Sequence, residues 1–416
     1  MSNPPLRANR DYWLLLTGST LDLLGSAMTS LAITLLAVQI TGSAGRAGII
    51  TAMYGVGQWV AMLPAGALVD RWDRQRTMVA TTAVGAVAMG TVPLAEQLGR
   101  VTMPHLMAVA AAVGVLGCFY SPAERAALKR VVPASQTGTA LSINQARGSA
   151  ANLVGSPLAG LLFTIHHTLP MLIDALTYVV AAVCAGLVRT PLPAPAGERR
   201  PLRALGSEVV SGLRWLWRAR GVRDVAIGGM ILNVGINGAM TVGILALQLG
   251  GTSPTALGLM ESVIGATGIV AALAAPAVLQ RARIGTITRA GFAAVGLVGC
   301  LLAVRISIWW IGAMMCLAVL CVAPVNAGMG AYTMRITPDE MQGRSGSASA
   351  FVSLAMIPLG TAGAGLLLEH LGARPAMAAF AVILVLGAVW TVLSRPIASI
   401  PLAGDLGEVP EVPADV

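Results

Sequence analysis

Stretches free of Asp, Glu, Lys and Arg recur along the chain at 23–45, 47–69, 77–95, 101–123, 148–173, 262–280, 306–334, 345–368 and 375–394. Each approaches or exceeds the roughly 20 apolar residues that a helix needs to cross the hydrocarbon of a bilayer. None shows the short polar–apolar alternation of barrel strands, and a backbone in lipid has to satisfy its own polar groups, so each predicts a membrane-spanning helix. Together with the stretches between them, the pattern predicts spans near 12–39, 47–69, 77–96, 104–121, 142–164, 170–188, 224–248, 256–279, 286–304, 309–330, 345–368 and 375–394. The expected fold is an all-α membrane protein with twelve transmembrane helices.

Composition supports that reading. Of 416 residues, 56% are hydrophobic and 11% charged, against roughly a quarter charged in soluble domains. The 48 glycines suit membrane helices, whose backbones approach closely where side chains are small. Cys118, Cys184, Cys300, Cys316 and Cys321 all fall inside predicted spans and suggest no disulfide framework. The apolar stretch from Tyr12 is too long for a cleaved leader and reads as the first retained span.

With both termini inside, the outer segments hold only Arg46, Arg100, Arg305 and Arg374 of the 27 basic residues. That asymmetry predicts cytoplasmic termini in an inner (plasma) membrane. The net charge of +9 is then a topology signal, and no nucleic-acid partner is expected. The expected partners are the lipid bilayer and a small-molecule substrate, for a chain acting as a monomer.

The chain divides into a six-helix half at 1–188, a basic linker at 189–223, a second six-helix half at 224–395 and an acidic tail at 396–416 that reads as disordered. In the linker, Leu205, Val209, Leu213, Leu216 and Trp217 recur at helical spacing among Arg214, Arg218 and Arg220, as in a helix lying on the inner membrane surface. The halves repeat: at one constant offset Arg130 matches Arg335, Pro133 Pro338, Ser142 Ser347, Gly155 Gly360, Gly160 Gly365 and Pro170 Pro375. Parallel repeats of this kind are the signature of two bundles that rock around a central site.

Between spans two and three stands Gly66-Ala-Leu-Val-Asp70-Arg71-Trp-Asp73-Arg74-Gln-Arg76. It resembles the Gly-x-Leu-x-Asp-Arg-x-Gly-Arg loop of the major facilitator superfamily, in the Asp-Arg-x-Asp-Arg form of the branch that holds the enterobactin exporter and the macrolide efflux pumps. Asp73 replaces the second glycine and Gln75 the next basic residue. Asp70 ends a helix where it can pair with Arg74 or face another helix's positive N-terminus, as a cytoplasmic latch; alternatively, the arginines only set topology. Gly155-Ser-Pro157-Leu-Ala-Gly160 in span five resembles the Gly-Pro-x-x-Gly-Gly motif of drug antiporters, a hinge or a simple packing site.

Ionisable residues at membrane depth are costly and are candidates for function. Asp22 lies in span one on a face with Gly18, Gly25, Ser26 and Thr29, and Glu261 lies a turn into span eight; both are proton-coupling candidates. Asp174, near the outer end of span six, reads as a structural cap. Asn144, Arg147, Asn233 and Asn237 are substrate-cavity candidates. Arg147 either counters a carboxylate or an anionic substrate or snorkels to the inner interface, and the amides either bind substrate or join neighbouring helices, with Gln58 and Asn326 as possible partners. His105, His166, His167 and His370 fall at the outer edge with no metal-ligand spacing.

The chain has no Gly-x4-Gly-Lys-Ser/Thr sequence and its only lysine is Lys129, so nucleotide is not its direct energy source. No enzyme, cofactor or metal chemistry is expected. The residues predict a secondary transporter, and the resemblance implies proton-driven efflux of an amphipathic drug, antibiotic, siderophore or related metabolite. Uptake and lipid flipping are the alternatives within the same fold.

Overall fold

The computed structural model describes residues 9–69, 71–133, 136–193, 203–338, 341–408, 410 and 412. These are helical throughout, with no strand among them. The chain forms two compact units, the first Met1–Arg200 with Thr252–Ser262 and the second Pro201–Gly251 with Val263–Val416. The first contains α1 (Arg10–Thr41), α2 (Ala44–Val69), α3 (Arg74–Gln97), α4 (Met103–Val131), α5 (Thr137–Ile165), α6 (Leu169–Gly186) and the first turns of α9 (Pro254–Leu279). The second contains α7 (Arg203–Arg218), α8 (Arg220–Leu249), the rest of α9, α10 (Ile284–Leu302), α11 (Ile308–Ile336), α12 (Gln342–Leu354), α13 (Ile357–Leu371), α14 (Ala373–Leu393) and α15 (Arg395–Ala398). Among the described residues eleven stretches are long and apolar enough to cross a membrane, α12 and α13 contributing one between them. The protein is a multi-pass membrane protein.

Helices outrun the spans that hydropathy predicts, because hydropathy marks where lipid is and not where the backbone ladder stops. Expected to end near 121 and 330, α4 and α11 run on to Val131 and Ile336. Each stops just before a residue that precedes proline. Val132 (φ −97°, ψ 129°) and Thr337 (φ −92°, ψ 121°) are extended, as the rings of Pro133 and Pro338 require. The next turns match as well: Gln136 N–H donates to Pro133 O at 2.9 Å and Met341 N–H to Pro338 O at 2.8 Å. The same helices start alike, with the hydroxyls of Thr102 and Ser307 accepting from the amides of His105 and Trp310. The span expected at 345–368 breaks at Ala355–Met356. Pro358 has no N–H for the Leu354 carbonyl and stands in the first turn of α13, where a missing N–H costs least.

Close backbone approach holds α2 to α4. A Cβ at Gly57 would strike the Ala111 carbonyl, and one at Gly114 the Tyr54 carbonyl. Each helix therefore offers a glycine to its partner's backbone. In the second unit Gly235 and Gly238 of α8 instead make room for side chains, those of Leu384 and Phe380 of α14. An acid ties the two ends of each unit: Asp11 of α1 accepts from Thr190 N–H (2.7 Å) and hydroxyl (2.6 Å) beyond α6, and Asp224 of α8 accepts from the Ser394 hydroxyl (2.7 Å) beyond α14.

One expectation needs correction. The tail from 396 is not disordered over its described residues. Ile284 N–H donates to Pro401 O, a 3-10 turn covers Ala403–Glu408, and Arg335 donates to Leu406 O (3.1 Å) and Gly407 O (3.0 Å). The carbonyls of Leu406 and Gly407 supply acceptors to an arginine near the end of α11, a contact that counting the tail's acidic residues misses. In α7, Trp215 and Leu216 are buried with Val222, Ala226, Ile336 and Met341, while Trp217, Arg214 and Arg218 are exposed.

Replacing Gly114 by Ala forces α2 and α4 apart and is expected to cost about 1–3 kcal/mol. Thermal unfolding of the purified protein in detergent should show a lower midpoint. Gly90→Ala in α3, where the nearest atom to the added methyl is Ala175 Cβ at 4.0 Å, should leave it unchanged or slightly raised. Equal midpoints for the two variants would contradict the close-approach account.

Candidate functional site

The polar face of α1 gathers the chemistry of the first unit. Residues 18, 22, 25, 26 and 29 share one side of a helix, and each meets a neighbour. Gly18 packs on Ala181 and Cys184 of α6. Asp22 and Ser26 line a cavity of about 30 Å³ with Tyr54, Thr81, Tyr120 and Tyr178, room for about one water. Among the described residues no side chain hydrogen-bonds the Asp22 carboxylate, which is 9% exposed.

Asp174 is not a cap at the rim. Thr168 begins α6, and Asp174 lies a turn inside it with no exposure. Its carboxylate accepts from the hydroxyls of Thr29 and, at 3.2 Å, Thr177. It fits only because residue 25 is glycine: a Cβ there would overlap its Oδ1. Arg147 does not snorkel. Both it and Glu124 have side chains 10% exposed, and its guanidinium donates to Glu124 Oε1 (3.3 Å), Leu16 O (3.2 Å) and the Ser19 hydroxyl. Its partner, Glu124, goes unnoticed when span four is ended at 121. Continuing the helix to Pro133 places Glu124 on the face of Gly117 and Tyr120, which is the signal that would have found it.

Glu261, on the part of α9 that belongs to this unit, faces the Ser156 side chain of α5. The adjacent Ser262 donates to Leu153 O at 2.6 Å. Around them the span-five motif is a packing device. Gly155 receives Ala27 of α1, Gly160 the Pro254 backbone, and Gly258 of α9 the backbone of Ser156 and Pro157. Asn144 is half-buried on α5 and lines neither this cavity nor any other described here.

In the loop before α3, Asp70 lies outside the described residues, and the latch expected of it with them. Gly66 is exposed near the end of α2. Asp73 caps α3, accepting from Arg76 N–H at 2.8 Å, and Arg74 N–H donates to Leu192 O at 3.1 Å. Arg71 and Arg76 line a cavity of about 590 Å³ whose wall includes the stacked rings of Trp72 and Phe119 (5.7 Å). Gln75, the departure from the motif, reaches the carbonyls of Ala185, Gly186 and Val188 at 2.8–3.2 Å and so satisfies the end of α6.

The second unit holds a cavity of about 650 Å³, within the range of small-molecule sites. Its wall is mostly aliphatic, with Phe292 and Met329, and its polar groups are the amides Asn233 and Asn326 and the hydroxyls of Thr333, Thr337, Ser345, Ser349 and Ser353. No ionisable side chain lines it among the described residues. Asn233 also donates to Ser353 O at 3.0 Å, joining α8 to α12. Asn237 is not in the cavity and donates to its own helix at Asn233 O. Neither amide bonds Gln58, whose partner is the Tyr54 hydroxyl at 3.1 Å.

A sequence model of the Major Facilitator Superfamily matches residues 15–357. The multidrug efflux pump Tap of Mycolicibacterium fortuitum is 26% identical over 218 residues, covering 50% of this chain and 52% of that protein. Macrolide efflux protein A of Streptococcus pyogenes is 25% identical over 182 residues, covering 43% and 45%. The chain thus spans about half the length of the curated relatives it matches. Among solved structures, the nucleoside transporter NupG (D323A mutant) superposes with a TM-score of 0.73 at 14% identity, covering 91% of this chain and 98% of that one. A bacterial homologue of the iron transporter ferroportin, in an inward-facing state, gives 0.70 at 14% identity, covering 94% and 99%. Likeness at that identity shows the fold alone.

Arg147→Ala strands a buried Glu124 and should destabilise the protein by about 3–5 kcal/mol, the usual result of removing one partner of a buried pair. Arg147→Met combined with Glu124→Gln should recover much of the loss. Unfolding midpoints of the single and double variants decide, and a single variant as stable as the parent would show that the pair is not structural.

Proposed function

The chain belongs to the Major Facilitator Superfamily and is a transporter, and from that premise we propose that it exports amphipathic small molecules by alternating access, driven by inward proton flow. The helices support a count of twelve. To the eleven apolar stretches α2 adds a 26-residue helix with Arg46 as its only charge. The matched helix starts and stops at one constant offset support two six-helix repeats. The distribution of arginines supports an inner-membrane protein with both termini in the cytoplasm, and we read it as a monomer. Export is favoured by the efflux proteins among its relatives.

The observation that carries the coupling is the charge balance in the first unit. Among the described residues, three buried carboxylates, Asp22, Glu124 and Asp174, stand against the one buried guanidinium of Arg147. Arg147 is committed to Glu124 and Asp174 to two hydroxyls, leaving Asp22 as the acid that faces the water-sized cavity. A carboxyl in that position gains or loses a proton as its access to water changes between states. Glu261, held against Ser156, is the second candidate. The neutral wall of the large cavity in the second unit suits the apolar and hydroxylated parts of an amphipathic substrate.

In proteoliposomes with an imposed pH gradient, Asp22→Asn should lower efflux of a macrolide or a fluorescent lipophilic cation roughly tenfold or more, equivalent to about 1.4 kcal/mol in the rate. Substrate exchange without a gradient should persist, because the amide keeps the shape and loses the titration. Glu261→Gln should show the same split only if that residue carries the proton. Parental efflux rates in both variants would place coupling elsewhere.

A further inference from the structure

A second polar cluster lies in the first unit apart from Asp22. Glu96, near the end of α3, meets His166 and His167 in the short connection from α5 to α6. His167 Nε2 contacts Glu96 Oε1, and His166 Nδ1 lies 3.9 Å from Oε2. One donor atom from each of the three residues falls within 4.8 Å of the others. The sequence hid this because the two histidines are adjacent, which is not a familiar ligand spacing, and the third group comes from another helix.

The connection is built rather than loose. His166 N–H donates to Leu162 O, closing α5, and Leu169 N–H donates back to His166 O, both at 3.0 Å. The imidazoles stack with centroids 4.7 Å apart and planes 12° from parallel. The Thr168 hydroxyl donates to Glu96 Oε2 at 2.5 Å and lies 3.1 Å from His166 Nδ1. That is the kind of outer contact that orients a ligating carboxylate. The side chains remain reachable, at 56% exposure for His166, 32% for His167 and 22% for Glu96.

We propose that Glu96, His166 and His167 form a binding site for a divalent transition-metal ion of the Zn²⁺ class. Two imidazole nitrogens and one carboxylate oxygen are a borderline donor set, suited to zinc, nickel or cobalt and not to magnesium or calcium, which prefer all-oxygen shells. Tetrahedral ligands at about 2.0–2.1 Å lie roughly 3.3 Å apart. Rotations of partly exposed side chains close the present spread to that distance and leave a fourth position to water. The bound ion ties the end of α3 to the α5–α6 connection. On the topology proposed above, the site faces outward.

The test uses the full chain, purified with its affinity tag removed and stripped with a chelator, then titrated with Co²⁺. One equivalent should produce the visible absorption of a tetrahedral cobalt site. Zn²⁺ should displace it, and Mg²⁺ and Ca²⁺ should not. Zn²⁺ should also raise the unfolding midpoint. Glu96→Gln and His167→Ala should each weaken cobalt binding at least tenfold, whereas His105→Ala with His370→Ala should leave it intact. His166→Ala, at the most exposed of the three positions, gives the same reading if either other variant fails to purify folded. A parent chain with no band beyond that of the His166→Ala/His167→Ala double variant overturns the site and leaves a Glu–His ion pair. None of these readouts involves transport, so failure here is distinguishable from failure of the export reading.

Discussion

The constraint on which the structure rests is the absence of water in the hydrocarbon. A backbone N–H or C=O left unpaired there costs several kcal/mol, so every segment that crosses must close its own ladder, and the chain is helical. The same constraint sets where helices meet. Lipid tails are as apolar as leucine, so burial alone does not drive helices together, and association depends on close packing and on a few polar contacts. The reciprocal glycines of α2 and α4 show the first means. The second appears at Asp11 and Asp224, which accept hydroxyls from the far end of their units.

Charge at that depth is the exception, and its placement is selective. Asp174 is admitted by the missing side chain of Gly25 and satisfied by two threonines. Glu124 is admitted by Arg147, which in turn relies on a backbone carbonyl and a serine. Asp22 has a small polar cavity instead of a partner. Two of the three acids are thus held in fixed roles by the packing, and the third is left open to change.

Much of this was legible in the residues. Spans could be read because lipid demands long uncharged runs, and the face of α1 because helical spacing puts Gly18, Asp22, Gly25 and Thr29 on one side. What escaped depends on where chains come together. Glu124 was lost when hydropathy was taken as the limit of a helix. Asp174 stands near the end of its span in sequence, while what makes room for it is a glycine far away in the chain. Gln75 looked like a weakened motif position, yet it supplies donors to three carbonyls of another helix end. The tail reads as disordered on composition, whereas its described residues include two carbonyls, of Leu406 and Gly407, that accept from an arginine near the end of α11.

The constant offset that joins the two halves of the sequence separates geometry from chemistry. Positions that set helix ends agree across it, Thr102 with Ser307, Pro133 with Pro338 and Pro170 with Pro375. Arg76, Arg100 and Arg130 also find arginines, Arg281, Arg305 and Arg335, but the buried charges have no counterpart: Glu124 falls on Met329, Arg147 on Val352 and Asp174 on Ala379. Met329 lines the cavity of the second unit, where no ionisable side chain stands among the described residues, so a position that holds a buried acid in one unit helps form an apolar wall in the other. The two units thus share helix ends and differ in the described residues that line their interiors. A carboxylate in the second cavity would add a desolvation cost that an amphipathic ligand does not repay, and replacing the acids of the first unit by apolar residues would leave nothing there to titrate. The energetics of burial therefore favour keeping the two linings distinct, whichever way the cargo moves.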